Sequence, residues 1–186
     1  MTTTRKCDGC DSTDATVLHL GRRTILLAGP LSDSTAASFL AVFFSLASQN
    51  KKPITIKLMS PGGNVESGFA VYDAIRTSTV PVTIEAYGEV SSIAALIFLA
   101  GDKRLMSPNC RFMVHHGTAD FAGEFKTIIS RMDEAKVRDD AYIFALSDRT
   151  QLTLEGARDL VDAEAFFSAG RCLELGISHG LLEEKS

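Results

Sequence analysis

Hydrophobic positions along the chain alternate between two periods. Thr24–Ala28 (TILLA) is a short apolar run closed by Gly29-Pro30, which predicts a buried strand. Ser32 or Asp33 can cap the helix predicted to run from there to about Ser48, apolar around most of its circumference and therefore well buried. Ile54, Ile56 and Leu58 alternate within a second strand, Ile54–Met59, that stops at Ser60-Pro61-Gly62-Gly63. Val65, Phe69, Tyr72 and Ile75 follow helical spacing up to Arg76. Val82–Ala86 predicts a third strand, Ser92–Ala100 a compact apolar helix and Arg111–His115 a fourth strand. A long charge-rich helix is predicted from about Glu124 to Leu146, and a last helix over Thr153–Leu160. Strands alternating with helices at this spacing predict an α/β fold of βαβ units with a mainly parallel sheet. In such sheets the working site lies at the carboxyl ends of the strands. Three segments qualify: Ser60–Gly63, Gly88–Ser92 and His115–His116.

Composition narrows the function classes. The 186 residues are the size of one ordinary domain, and 45% apolar against 23% charged can bury a core. With 19 Lys/Arg against 23 Asp/Glu the formal charge is −4, so no basic surplus exists for a phosphate backbone, and nucleic acid is not expected as a partner. The longest apolar runs, Ala36–Ala47 and Ser91–Ala100, are too short to cross a bilayer, and no membrane partner is expected. The opening residues are polar and lack the apolar segment of a signal peptide. Residues 1–20 are read as a polar tail and 21–186 as one domain. Cys7 and Cys10 have the spacing of half a zinc ribbon, but no second Cys or His pair follows, so no metal or cofactor is expected. Cys110 and Cys172 lie in apolar stretches as small core residues, and four cysteines without a framework fit a reducing, cytoplasmic compartment.

Ser92, the Gly62-Gly63 turn and His115 are each weak signals alone, but three strand ends offering nucleophile, donor and base at one rim make a stronger pattern. Ser92 opens an apolar helix after a glycine-containing turn, where the free N–H groups of the first turn point the same way as its hydroxyl. That arrangement suits a nucleophile beside donors for an oxyanion; the plain alternative is a helix cap. Gly62-Gly63 can bring backbone close to a ligand or can be a turn only. His115 closes a strand on the same edge of the sheet, as a base or as a packed core residue, and His116 should face the other way. A carboxylate to orient the imidazole is available from Asp159, Asp162 or Glu164. The chain has no GxxxxGK[ST] loop and hence no Walker-type ATP site, and it lacks GxGxxG, HExxH and G-x-S-x-G.

Four ordered motifs resemble the proteolytic subunit of the Clp protease, the ClpP family. They are Leu58-Met59-Ser60-Pro61-Gly62-Gly63 with Gly68–Asp73, then Gly88–Ala95, then Pro108–His115, then Phe166-Phe167-Ser168-Ala169 with Leu175-Gly176-Ile177. The likeness spans roughly Thr24 to Leu182. It implies a serine endopeptidase of the crotonase-like ClpP fold with a protruding strand-helix handle at about 117–147. Ser92 falls on the family's nucleophile and His115 on its base; the backbone N–H groups of Gly63 and Ile93 fall on its oxyanion hole. The usual Ser-Met-Gly is Ser92-Ile93-Ala94 here, and Ser92 to His115 is about two residues shorter. Leu160 stands where the best-known members keep their aspartate. A phage-type branch instead has an Asp-x-Glu-x-aromatic run like Asp162–Phe166, so Asp162 is the expected third member and Asp159 the second choice. The resemblance further implies a homo-oligomer of two stacked seven-membered rings, a Clp-type AAA+ ATPase partner, and peptides or unfolded proteins as substrates. Two alternatives remain: an inactive ring subunit, and a crotonase-type acyl-CoA enzyme that would need neither Ser92 nor His115.

Overall fold

The computed structural model describes residues 16–183; Cys7 and Cys10 lie outside them. Among the described residues the strands are β1 (Thr16–His19), β2 (Thr24–Ala28), β3 (Ile54–Ser60), β4 (Val82–Ser91), β5 (Lys103–Met106), β6 (Arg111–Met113), β7 (Phe166–Ser168) and β8 (Gly180–Leu181). The helices are α1 (Asp33–Gln49), α2 (Val65–Arg76), α3 (Ile93–Ala100), α4 (Phe125–Asp148), α5 (Leu154–Asp162) and α6 (Ala169–Glu174). The strands form one sheet in the order β1-β2-β3-β4-β5-β8, with β6 attached to β4 and β7 to β6. Pairing is antiparallel for β1–β2 and β6–β7 and parallel elsewhere.

The alternation read from the sequence sets the faces of this sheet. Ile25, Leu27, Ile54, Ile56, Leu58, Val82, Ile84 and Ala86 are buried on the core side. Between them, Lys57 and Glu85 stand on the opposite face, where the Lys57 ammonium donates to Glu85 at 2.6 Å and to the Tyr87 hydroxyl at 3.0 Å. A shift of register by one residue would exchange these two sets, so burial fixes the pairing. The Ser32 hydroxyl accepts from the Thr35 N–H and caps α1. Every residue of α3 is buried, and Phe98, Phe112 and Phe167 form a chain of rings that ties α3 to β6 and β7. Truncating Phe112 at its centre would cost ~3–5 kcal/mol.

β4 decides where the site can form. It was expected to end at Ala86 but continues to Ser91, because it changes partner part-way: Thr83–Ala86 pair with β5 and Glu89–Ser91 with β6. Gly88 sits between the two halves at φ +61°, a conformation costly for any residue with a Cβ. The sequence reading also differs from the structure in other places. Thr16–His19, assigned to the polar tail, form β1 against β2. β5 and β8 were not foreseen. Residues 117–123, the expected strand of the handle, are irregular; among the described residues no strand pairs with them to supply ladder partners. Cys110 and Cys172 are buried free thiols; burial pushes them up to about 11 and about 12, so they stay protonated and pack as small apolar groups. Among the described residues no helix is long and apolar enough to cross a membrane.

Candidate active site

The end of β4 delivers Ser92 to the first turn of α3 in an unusual conformation, φ 57° and ψ −131°. A non-glycine residue persists there only when its surroundings hold it. Its N–H donates to the Met113 carbonyl at 2.9 Å. Its carbonyl accepts from the Tyr142 hydroxyl at 3.1 Å and from the Ala95 N–H at 2.9 Å. The side chain makes no capping bond, so the plain cap reading does not describe Ser92. Its Oγ instead lies 2.8 Å from Nε2 of His115. His115 is placed by the continuation of β6, where the Val114 N–H donates to the Ala165 carbonyl at 3.1 Å.

Gly62 and Gly63 bring a second piece of backbone to the same spot. A Cβ on Gly62 would stand 2.7 Å from the Ser92 Cβ and 2.8 Å from the Ser91 carbonyl oxygen. Gly63 has φ +146°, and a Cβ there would sit 2.3 Å from the Leu31 carbonyl oxygen. Only glycine lets the end of β3 approach this closely. The Leu31 N–H donates to the Gly62 carbonyl at 2.8 Å and the Asn64 N–H to the Leu31 carbonyl at 2.9 Å; the Gly63 N–H takes no acceptor among the described residues. The Ile93 N–H, first in α3, likewise has no intrahelical acceptor by the geometry of a helix start.

The carboxylates are arranged differently from expectation. Asp162 is the last residue of α5, and its carboxylate bonds Nε2 of His116 at 2.6 Å, not His115. Asp139 on α4 bonds Nδ1 of the same imidazole and also accepts from the Gly117 N–H at 3.2 Å. Among the described residues no carboxylate bonds the His115 ring. Asp159 is exposed on α5. A neutral imidazole has one N–H, so donating to two carboxylates requires the doubly protonated ring. Consistent with this, the bonds to Asp139 and then Asp162 raise the His116 pKa above its ordinary value. His116 thus clamps α4 to the end of α5, one residue from the Ser92–His115 pair. The two neighbouring histidines turn to different partners but line one cavity; the expectation that His116 faces the other way does not hold, because β6 ends at Met113 and its alternation does not carry on to residue 116.

That cavity has a volume of about 610 Å³, with Val65, Phe69, Ile93 and Tyr142 on an apolar side and the 117–121 segment and α4 as walls. At its rim the Arg138 guanidinium pairs with Glu66 at 2.9 Å and lies 5.4 Å over the Phe69 ring, tying α4 to α2. Sequence reasoning did not single out Tyr142 or Asp139. Both sit on a long helix among many similar apolar and charged positions, and nothing local marks them. Among the described residues no group of three His, Cys, Asp or Glu is arranged to hold a metal ion.

The hydrogen-bonded Ser92–His115 pair lies at the strand ends beside the Gly63 and Ile93 N–H groups, the positions on which the resemblance falls. A sequence model of the Clp protease family matches residues 9–185. The chain belongs to the Clp protease family. The match spans nearly the whole chain and so covers every element that builds the Ser92 site. Within the family fold, the mainly parallel sheet and the helix that starts at Ser92 are those described above. Family membership makes the chain a ClpP-like protease.

Proposed function

We propose that the chain is a serine endopeptidase in which Ser92 is the nucleophile, His115 the general base, and the N–H groups of Gly63 and Ile93 the oxyanion hole. The observation that carries this is the 2.8 Å approach of Ser92 Oγ to His115 Nε2 beside the open start of α3. In the reaction His115 Nε2 takes the Ser92 proton as Oγ bonds to the scissile carbonyl carbon, and the carbonyl oxygen becomes an anion facing the two N–H groups. His115 then gives that proton to the departing amine as the C–N bond breaks. A water molecule, deprotonated by His115, releases the acyl group and returns the proton to Ser92. Asp162 serves this reading indirectly: by anchoring His116 it holds the backbone that carries the His115 ring.

The cavity beside the irregular 117–123 segment, which has no ladder partners among the described residues, is the place for an extended peptide in this reading. Assembly into rings is supported by α4, which exposes Phe125, Ile129, Met132, Val137 and Phe144, the first of them 80% accessible. The family resemblance supplies the form of two stacked heptameric rings enclosing a chamber. Because the sequence has no Walker-type loop, folded substrates require a separate Clp-type ATPase, while short peptides and unfolded chains do not. The inactive-subunit reading retains one favourable observation: among the described residues no carboxylate bonds His115.

The test is fluorophosphonate treatment of the assembled protein, followed by intact mass and mapping of the modified residue. A single adduct on Ser92 is expected. No adduct, or one elsewhere, overturns the reading; light scattering that finds an active monomer overturns the chamber.

A further inference from the structure

Tyr142 is 7% exposed on α4 and directs its hydroxyl at the carbonyl oxygen of Ser92, 3.1 Å away. That oxygen already accepts from the Ala95 N–H at 2.9 Å, so it has no need of the phenol to avoid being buried without a donor. What the second bond adds is direction. The Ser92–Ile93 peptide is planar and trans, so its carbonyl and its N–H point in opposite senses and turn together. Whatever fixes the Ser92 carbonyl therefore fixes where the Ile93 N–H points. The constraint matters because Ser92 sits at φ 57° and ψ −131°, a backbone state maintained only by its neighbours.

We propose that Tyr142 is a positioning residue whose hydroxyl aims the Ile93 N–H at the oxyanion, making α4 part of the catalytic machinery. The proposal rests on the reading of Ser92 and Ile93 given above. Burial keeps the phenol well above its ordinary pKa, with Asp139 adding to the effect, so it remains a donor throughout the working range. The same helix lines the cavity through Arg131, Glu134 and Asp139, so a shift of α4 moves the cavity wall and the oxyanion donor together.

Full-length, assembled Tyr142→Phe tests this, since it retains the ring and removes only the hydroxyl. Removing an oxyanion donor outright costs roughly 10²–10³ in rate, so losing its aim alone should lower kcat about tenfold with KM unchanged. Affinity for a peptide boronate, which forms a tetrahedral adduct on Ser92, should fall by the same factor. Peptide affinity measured in a Ser92→Ala background should not change when Tyr142→Phe is added. Tyr142→Met should reproduce the same kcat loss if the hydroxyl is what counts. Tyr142→Phe with wild-type kcat and boronate affinity overturns the proposal while leaving the peptidase reading intact. A wild-type Tyr142→Phe beside an impaired Tyr142→Met assigns the residue to packing and overturns it as well. Absence of a Ser92 adduct in the unsubstituted protein is instead the failure of the underlying reading, and takes the proposal with it.

Discussion

The two ends of α3 satisfy their backbone in opposite ways. At the C-terminal end two guanidiniums cover the carbonyls: Leu99 and Gly101 each accept from both Arg104 and Arg149, with the Arg149 bonds at 3.1 and 3.2 Å. Arg104 is 2% exposed and also donates to Ile177 at 2.8 Å, to Arg149 at 2.7 Å and to Gly176 at 2.9 Å. Burial, with Arg149 and Arg76 nearby, lowers its pKa to about 10, yet it remains charged at neutral pH and complements the negative end of the helix. At the N-terminal end Ser92 leaves its capping role unfilled, strains its backbone and faces a cavity. One helix is thus closed where it supports the fold and open where the proposed reaction develops charge. Orphan N–H groups at a buried helix start are a liability for stability and an asset for binding a transient anion.

The largest effect should come from the open end. Ser92→Ala and His115→Ala should each reduce peptide cleavage by at least ~10³-fold with the melting temperature unchanged, and the double variant should be no worse, because nucleophile and base act as a unit. Near-normal turnover in His115→Ala would move the base elsewhere. Arg104→Met should give the opposite signature. It removes one donor from each of five carbonyls, of which Leu99 and Gly101 keep their bonds from Arg149, and should cost ~3 kcal/mol or more of stability, read by denaturant unfolding, while activity per folded molecule changes little. A stable Arg104→Met protein would mean that Arg149 alone closes that end.

The clamp beside the open end should give intermediate effects. Since Asp162 bonds His116, Asp162→Asn should lower turnover about tenfold, far short of the ~10⁴ of a triad acid that holds its base in the right tautomer. A loss of several orders of magnitude would show that Asp162 reaches His115 in the working assembly. The smallest effect concerns pH. The folded-state pKa of His116 is raised, so its stabilisation is fully present below the unfolded value of about 6.5 and is lost as pH rises through the folded value. The melting-temperature gap between the unsubstituted protein and His116→Gln should therefore be widest near pH 6 and close on the alkaline side. A gap that widens with pH would contradict the doubly protonated clamp.

Both ends of α3 were visible in the sequence to different degrees. Ser92, Gly63 and His115 lie just after strand patterns, and strand ends in a parallel sheet share one rim, so their convergence could be read before any coordinates. Arg104 gave no such signal. It was part of a charged loop by pattern, and only the return of residues 176–177 and of Arg149 surrounds it with carbonyls. The strand containing it, β5, and its neighbour β8 are too short for periodicity to register.

What the chain determined by itself was local: which faces of β2, β3 and β4 are apolar, where α1 and α2 start, and which residues follow the strands. These follow from side-chain periods of about 2 and 3.6, which depend on no distant partner. Tertiary structure alone decided the partners of the polar groups at the site. The continuation of β4 to Ser91 depends on β6, the bond from Tyr142 to Ser92 spans fifty residues, and Asp162 goes to His116 because α4 and α5 bring two carboxylates to that imidazole. Long-range contacts of this kind have no period in sequence. They are set by how the packed elements fall, and here that packing determines which histidine receives the acid.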